Sequence, residues 1–303
     1  MLSRLAENLY WIGRYMERAD GTCRLGAALY HGMTQVGADG DEYLATDRLG
    51  VLGTPREGAD DEPCSLLDAV TWCVSDQANP SSVVGCIKAA RENTRRAREL
   101  LSLELWETIN AASMQIDSHA AVKAGVEVYL RDAPWWTRSF FGVVDSALPR
   151  DEARAVLRMG CYLERADLTL RVLLLGADHL RAGAEDDPWA LHFWSVVLRA
   201  CGAQDAYRRV AAGPLTPMGV AQLLLRAPEW PRSVLYALRR CEEAVAGVGE
   251  RARLLGQLRS ELEFRRIEEI AAGGTQAVAR LLDNLDRVHS AVVQELLRPA
   301  ELL

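Results

Sequence analysis

Two Glu-Arg dipeptides carry the strongest chemical signal in this chain. Glu17-Arg18 lies within GRYMERADGTCR (residues 13–24), and Glu164-Arg165 lies within GCYLERADLTLR (residues 160–171). A guanidinium beside a carboxylate suits a small zwitterion or a peptide terminus, because arginine clamps an anion bidentately. An exposed glutamate with a raised pKa would instead suit general-base work. Buried and paired with one another, the same groups would be a packing device, since an unpaired buried charge is strongly destabilising.

Between residues 9–25 and 156–172, eight of seventeen positions are identical, which marks an internal repeat. Asn79-Pro80-Ser81-Ser82-Val83 returns in the same order as Trp230-Pro231-Arg232-Ser233-Val234. Two markers at nearly equal offsets predict two homologous halves, 1–148 and 149–303, joined without a Ser/Gly-rich spacer into one unit. Helical periodicity dominates, and the fold class expected is all-α: a duplicated helical bundle with pseudo-two-fold symmetry. Its long central helices would pack antiparallel or crossed.

The spacing predicts helices over 3–36, 66–77, 80–111, 115–131, 135–147, 150–182, 189–211, 217–227, 231–247, 251–271 and 275–298. Pro80, Pro217 and Pro231 would each take a first helical position. Residues 37–65, rich in Gly and Pro, read as irregular. On the first helix Leu5, Leu9, Ile12, Met16, Ala19 and Cys23 form a core stripe, with Glu17 and Asp20 on one flank and Tyr15 and Arg18 on the other. Adjacent Glu17 and Arg18 therefore face different neighbours. Under a two-fold, Glu17 would meet Arg165 while Arg18 meets Glu164. Asp20–Arg24 and Asp167–Arg171 would pair along their own helices, and Gly13 and Gly160 would admit a close backbone. Either the motif is a staple between two helices, or it lines a central pocket for a small charged ligand.

Composition narrows the function classes. A net charge of −7 disfavours a chain that tracks a phosphate backbone. Seven widely spaced cysteines without a CxxC pair read as reduced thiols, not a disulfide frame or zinc site. With no secretory signal and no apolar run of about 18 residues, the expectation is a cytoplasmic protein without a membrane span. No histidine lies at metal-ligand spacing, and His179 sits too far from Glu164 to share its site through one helix. GxSxG, Walker A and GxGxxG are absent, so no cofactor is expected. Arg91, Arg95 and Arg98, with Arg96 beside them, read as an ion-pair face or an anion-binding surface. Trp135-Trp136 and Phe140-Phe141 read as core or partner-docking aromatics.

The opening MLSRLAENLYWIGRYMERADGTCRL, together with IKAARENTRRARELLSLELWETIN at 87–110, GCYLERADLTLRV at 160–172 and PRSVLYALRRCEEAV at 231–245, resembles the alpha-E domain family, bacterial all-helical proteins with a Glu-Arg motif. The resemblance implies an association with circularly permuted ATP-grasp ligases, with peptidases often encoded nearby. It therefore implies an accessory or co-catalytic part in ATP-dependent amide or peptide bond formation, binding an amino-acid or peptide substrate or docking the ligase. Glu17, Arg18, Glu164, Arg165, Arg14 and Tyr15 are the binding residues expected on that basis. The alternatives are an enzyme using Glu17 or Glu164 as general base, and a purely structural interaction module. Position 161 is Cys where Arg14 stands in the first copy, which makes the first motif the stronger site.

Overall fold

A computed structural model describes residues 3–36, 65–177, 180, 188–211, 213–244 and 249–297. Every regular element among them is helical. In chain order these are α1 (Ser3–Val36), α2 (Leu66–Val74), α3 (Val83–Arg96), α4 (Leu103–Ala121), α5 (Val126–Ser146), α6 (Glu152–Leu175) and α7 (Pro188–Ala200). They continue as α8 (Gln204–Val210), α9 (Pro217–Arg226), α10 (Val234–Ala244), α11 (Glu250–Phe264), α12 (Ile267–Ala272) and α13 (Gly274–Leu297). Residues 37–64, which fall in the stretch expected to be irregular, and His179 lie outside the described residues.

The expected boundaries fail where a local backbone signal interrupts helical periodicity. The helix anticipated over 80–111 breaks at Ala97–Ser102, where Leu101 is extended and the Ser102 hydroxyl caps α4 by accepting from the Leu105 amide at 3.2 Å. Lys123, at φ 50°, turns the chain after α4. Helix α5 then starts at Val126 and runs through Pro134, because Ala133, Trp136 and Phe140 are buried on its inner face. Gly202, at φ 61°, ends α7 where one continuous helix was expected. Extended backbone at Arg265 and Arg266 likewise separates α11 from α12.

Pro217 does occupy the first position of α9, behind a Thr216 cap. Pro80 and Pro231 do not take that role. They sit in turns closed by Ser82 and Ser233, whose hydroxyls accept the Gly85 and Tyr236 amides at 3.0 Å each. The preference of serine for the cap position wins over that of proline for the first turn.

Helix α1 is surrounded by α2, α3, α5, α6, α7 and α13, while α6 packs on α1, α10 and α13. Buried side chains from Leu5 to Val292 form one continuous apolar cluster. Helices α1 and α6 run in the same direction, not antiparallel. Their contacts advance together from Tyr10–Gly160, through Glu17–Arg165, to Gly21–Leu168. The approach is closest at two glycines. A Cβ at Gly13 would fall 2.1 Å from the Leu157 carbonyl oxygen, and one at Gly160 would fall 2.1 Å from that of Tyr10. Only a hydrogen in place of a side chain lets the two backbones meet there. One turn beyond each glycine stands the motif glutamate.

Candidate functional site

Glu17 and Glu164 are both 0% exposed, and each is enclosed by guanidinium groups. Arg165 donates its Nε–H to Glu17 Oε1 at 2.7 Å and its Nη2–H to Oε2 at 2.6 Å. Arg18 makes the reciprocal bidentate pair with Glu164, at 2.6 and 3.2 Å. The two dipeptides therefore interlock across the α1–α6 contact, as their opposite positions on the wheel require.

Each carboxylate also has a second arginine, and the two come from different places. Arg14, one turn before Arg18 on α1, puts its Nε 2.5 Å from Glu164 Oε2 in ionic contact. Glu17 meets Arg232 instead, which arrives on the turn before α10 and reaches Glu17 Oε1 at 3.2 Å and Asp20 Oδ2 at 2.7 Å. Arg232 stands where the first copy has Ser81, and Cys161 stands where it has Arg14. The loss of an arginine at position 161 is thus made good from the second repeated segment.

Asp20 is wrapped further. It accepts from Arg24 Nε at 2.8 Å and, at Oδ1, from the Thr137 hydroxyl of α5 at 2.8 Å. Burial alone would raise its pKa, but Arg232, Arg24 and the Thr137 bond outweigh it and hold the carboxyl at about 2. Asp167 pairs with Arg171 at 2.6 Å. Burial likewise opposes the charged forms of Arg14, Arg18 and Arg165, yet the facing glutamates keep all three raised. Cys161, fully buried beside Arg158 and Glu17, is pushed up to about 12 by burial and stays a thiol.

The structure thus gathers five of the six expected binding residues: Glu17, Arg18, Glu164, Arg165 and Arg14. Tyr15 stands apart. Half-buried, it stacks on Trp11 with ring centroids 5.5 Å apart, and among the described residues it hydrogen-bonds to neither glutamate. Arg232 and Thr137 were not foreseen. Arg232 had a signal, since its turn repeats one that packs beside α1, whereas nothing in the spacing ties Thr137 to Asp20.

Beside the Glu17 pair is a cavity of about 20 Å³, lined by Glu17, Gly21, Arg165, Thr169, Cys201 and Arg232 among others. That is room for about one water. Thr169 donates to the Arg232 carbonyl oxygen at 3.1 Å and Arg165 to that of Pro231 at 3.2 Å, which fixes the turn carrying Arg232. On the Glu164 side the matching hydroxyl, Thr22 Oγ1, is buried without a hydrogen-bond partner among the described residues. There Tyr10 shares a 2.6 Å hydrogen bond with His289 Nδ1. Burial and the nearby Arg14 lower the His289 pKa to about 4, so the ring is neutral at pH 7.

Other candidates resolve more simply. The six described cysteines are all buried. No group of three His, Cys, Asp or Glu is placed to hold a metal ion among the described residues. No helix among them is long and apolar enough to cross a membrane. Trp136 and Phe140 are core residues, while Trp135 is exposed.

Comparison with known proteins agrees with this arrangement. Proteins described as uncharacterized, one from Mycobacterium bovis and two from strains of Mycobacterium tuberculosis, are each 22% identical to this chain over 321 residues. The match covers 95% of this chain and 35% of each relative, so the chain spans about a third of their length. No solved structure matches. A family model described as "a predicted alpha-helical domain with a conserved ER motif" matches residues 1–297. With its two Glu-Arg dipeptides interlocked at the centre of a helical fold, the chain belongs to the Alpha-E family.

Proposed function

We propose that this chain is an accessory module of an ATP-grasp carboxylate–amine ligase. It holds the carboxylate end of an amino-acid or peptide substrate at the Glu17 half-site, while the ligase performs ATP-dependent amide-bond formation. The charge count around the cavity carries this reading. Glu17 and Asp20 face Arg165, Arg232 and Arg24, two carboxylates against three guanidiniums. The surplus positive charge lies beside a cavity lined by the motif residues Glu17 and Arg165. As it stands, the cavity admits about one water, so a ligand carboxylate enters as Arg232, which is carried on a turn and not on a helix, swings away from Glu17 and pairs with the incoming carboxylate.

Two further points support the reading. The family resemblance links such domains to ATP-grasp ligases, and the curated relatives are about three times the length of the matched segment, which suits a helical unit working beside other domains. Glu164, Arg18 and Arg14 form the second, fully clamped half, with Tyr15 at its margin. The two halves, 1–148 and 149–303, are copies of one unit related by a pseudo-two-fold that acts as a lock. Neither motif glutamate has an exposed oxygen, which favours a binding role over general-base work.

Reconstitution tests this. Purified chain, an ATP-grasp ligase encoded beside an Alpha-E gene, ATP and an amino-acid mixture are combined, and amide products are read by mass spectrometry. Product is expected only when both proteins and ATP are present. Arg232→Ser, which keeps the Glu17–Arg165 pair, lowers the yield while the chain stays folded. Product formed by this chain alone without ATP, or an undiminished yield from Arg232→Ser, overturns the proposal.

A further inference from the structure

The arginines that the sequence groups on one helix face separate into two kinds. Arg95 and Arg96 both close on Glu92, at 2.8 and 3.0 Å. Arg91 and Arg98 meet no carboxylate among the described residues. Both lie instead against Trp106 of α4, each guanidinium carbon 5.5 Å from the ring centroid. Arg91 is further held by Asn110, donating to its Oδ1 at 2.8 Å. A guanidinium stacked on an indole keeps its N–H edge free for a carboxylate.

Trp106 is not alone on that surface. At about 100° per residue, Leu103, Trp106, Asn110 and Met114 fall on one stripe of α4. Leu103 is 60% exposed and Met114 65% exposed. The stripe thus offers apolar and aromatic anchors at i, i+3 and i+11, with the polar Asn110 between them at i+7, flanked by two arginines that meet no acid among the described residues. A tryptophan framed by arginines, with an exposed methionine nearby, is the composition of an interface centre.

We infer that this face of α4 docks a helical segment of a partner protein whose apolar residues lie along the stripe and whose carboxylates meet Arg91 and Arg98. The occupant is fixed by charge complementarity. Exposed Glu104 and Glu107 fall on the edge of the α4 stripe away from Trp106 and its two arginines, where they would repel the continuous charge of a nucleic-acid strand but leave the arginine edge open to discrete carboxylates. The inference goes beyond the reading of the Glu-Arg core and stands whether or not the partner is a ligase.

Fluorescence anisotropy tests it with three labelled probes: a model helix of about five turns with Leu on one face and Glu along one flank of it, the same helix with Gln for Glu, and oligothymidine of similar length. The acidic helix is expected to bind at least ten times more tightly than its Gln counterpart, with an affinity that falls as salt rises. Trp106→Ala and Arg91→Gln/Arg98→Gln each weaken it about tenfold with unchanged thermal melts. Arg95→Gln/Arg96→Gln, removing equal charge from the same neighbourhood, leaves it unchanged. Equal binding of the two helices, equal loss from the Arg95/Arg96 pair, preference for oligothymidine, or no binding of the acidic helix overturns the inference.

Discussion

The Glu17 and Glu164 half-sites use one plan with different parts. Each sets a fully buried glutamate one turn beyond a glycine contact, and each receives a bidentate arginine from the opposite helix. Each then adds a second guanidinium, from Arg14 within α1 in one case and from Arg232 on a distant turn in the other. The reciprocal pair is fixed by the backbone contact, whereas the second arginine comes from whichever neighbour reaches. What is common to both is the count: two carboxylates and three arginines, with Asp286 near Asp167, Arg171 and Arg14 as a further acid on the Glu164 side. The Glu17 side has the cavity beside it.

The severest way to break this comparison is to neutralise either glutamate. Glu17→Gln and Glu164→Gln each leave two largely covered guanidiniums without their shared charge, and each should lose about 3–5 kcal/mol of stability, read from urea denaturation. Similar losses are expected, since both residues have no exposure. A loss at one site only would show that the halves do not carry equal weight.

Next in size come the glycines. Gly13→Ala and Gly160→Ala each drive a methyl group into a backbone carbonyl, which no side-chain rotation relieves, at a cost of about 1–3 kcal/mol or more. The two values should agree, because the geometry is the same at both positions. Arg232→Ser and Arg14→Cys then exchange the second arginine for what the other copy carries there. Each should cost about 1.5–3 kcal/mol, the range of a hydrogen bond to a charged group. Double-mutant cycles should show coupling of Arg232 to Glu17 and of Arg14 to Glu164, with the crossed pairs additive.

The sequence made the centre of the fold legible because buried charge needs a partner, and a repeated dipeptide on opposite wheel positions offers only one economical pairing. Its flanks were harder to read. Arg232 sits in a segment whose repetition was visible, but its reach into the opposite half depends on how α10 lies against α6. The direction of α1 against α6 was likewise not legible, since Glu17–Arg165 and Arg18–Glu164 satisfy either orientation, and only the glycine contacts settle it. Helix ends were lost wherever one residue outweighed periodicity, as Lys123 and Gly202 do with positive φ. Pro134 shows the opposite case, a helix breaker overruled by the buried face around it.

Acid should separate the two half-sites. Asp20, in the Glu17 half, has its pKa depressed to about 2 from 3.8. Its contribution is present above the ordinary value and is lost only as pH falls through about 2. His289, against Tyr10 and Arg14 in the Glu164 half, is depressed to about 4 from 6.5. The unfolded chain therefore takes up its proton first as pH falls, and this contribution fades between 6.5 and 4. Because the ring is only partly buried, the loss is on the order of 1–2 kcal/mol, well short of the full shift. Urea denaturation at pH 7.5 and 4.5 should show that difference, and His289→Gln should flatten it. Hydrogen exchange at pH 4.5 should open amides around Tyr10 and the centre of α13 before those around Asp20 and Thr137. Simultaneous opening of both regions would mean that the crossing of α1 and α6 binds the two half-sites into one cooperative unit, and that His289 has no local effect on it.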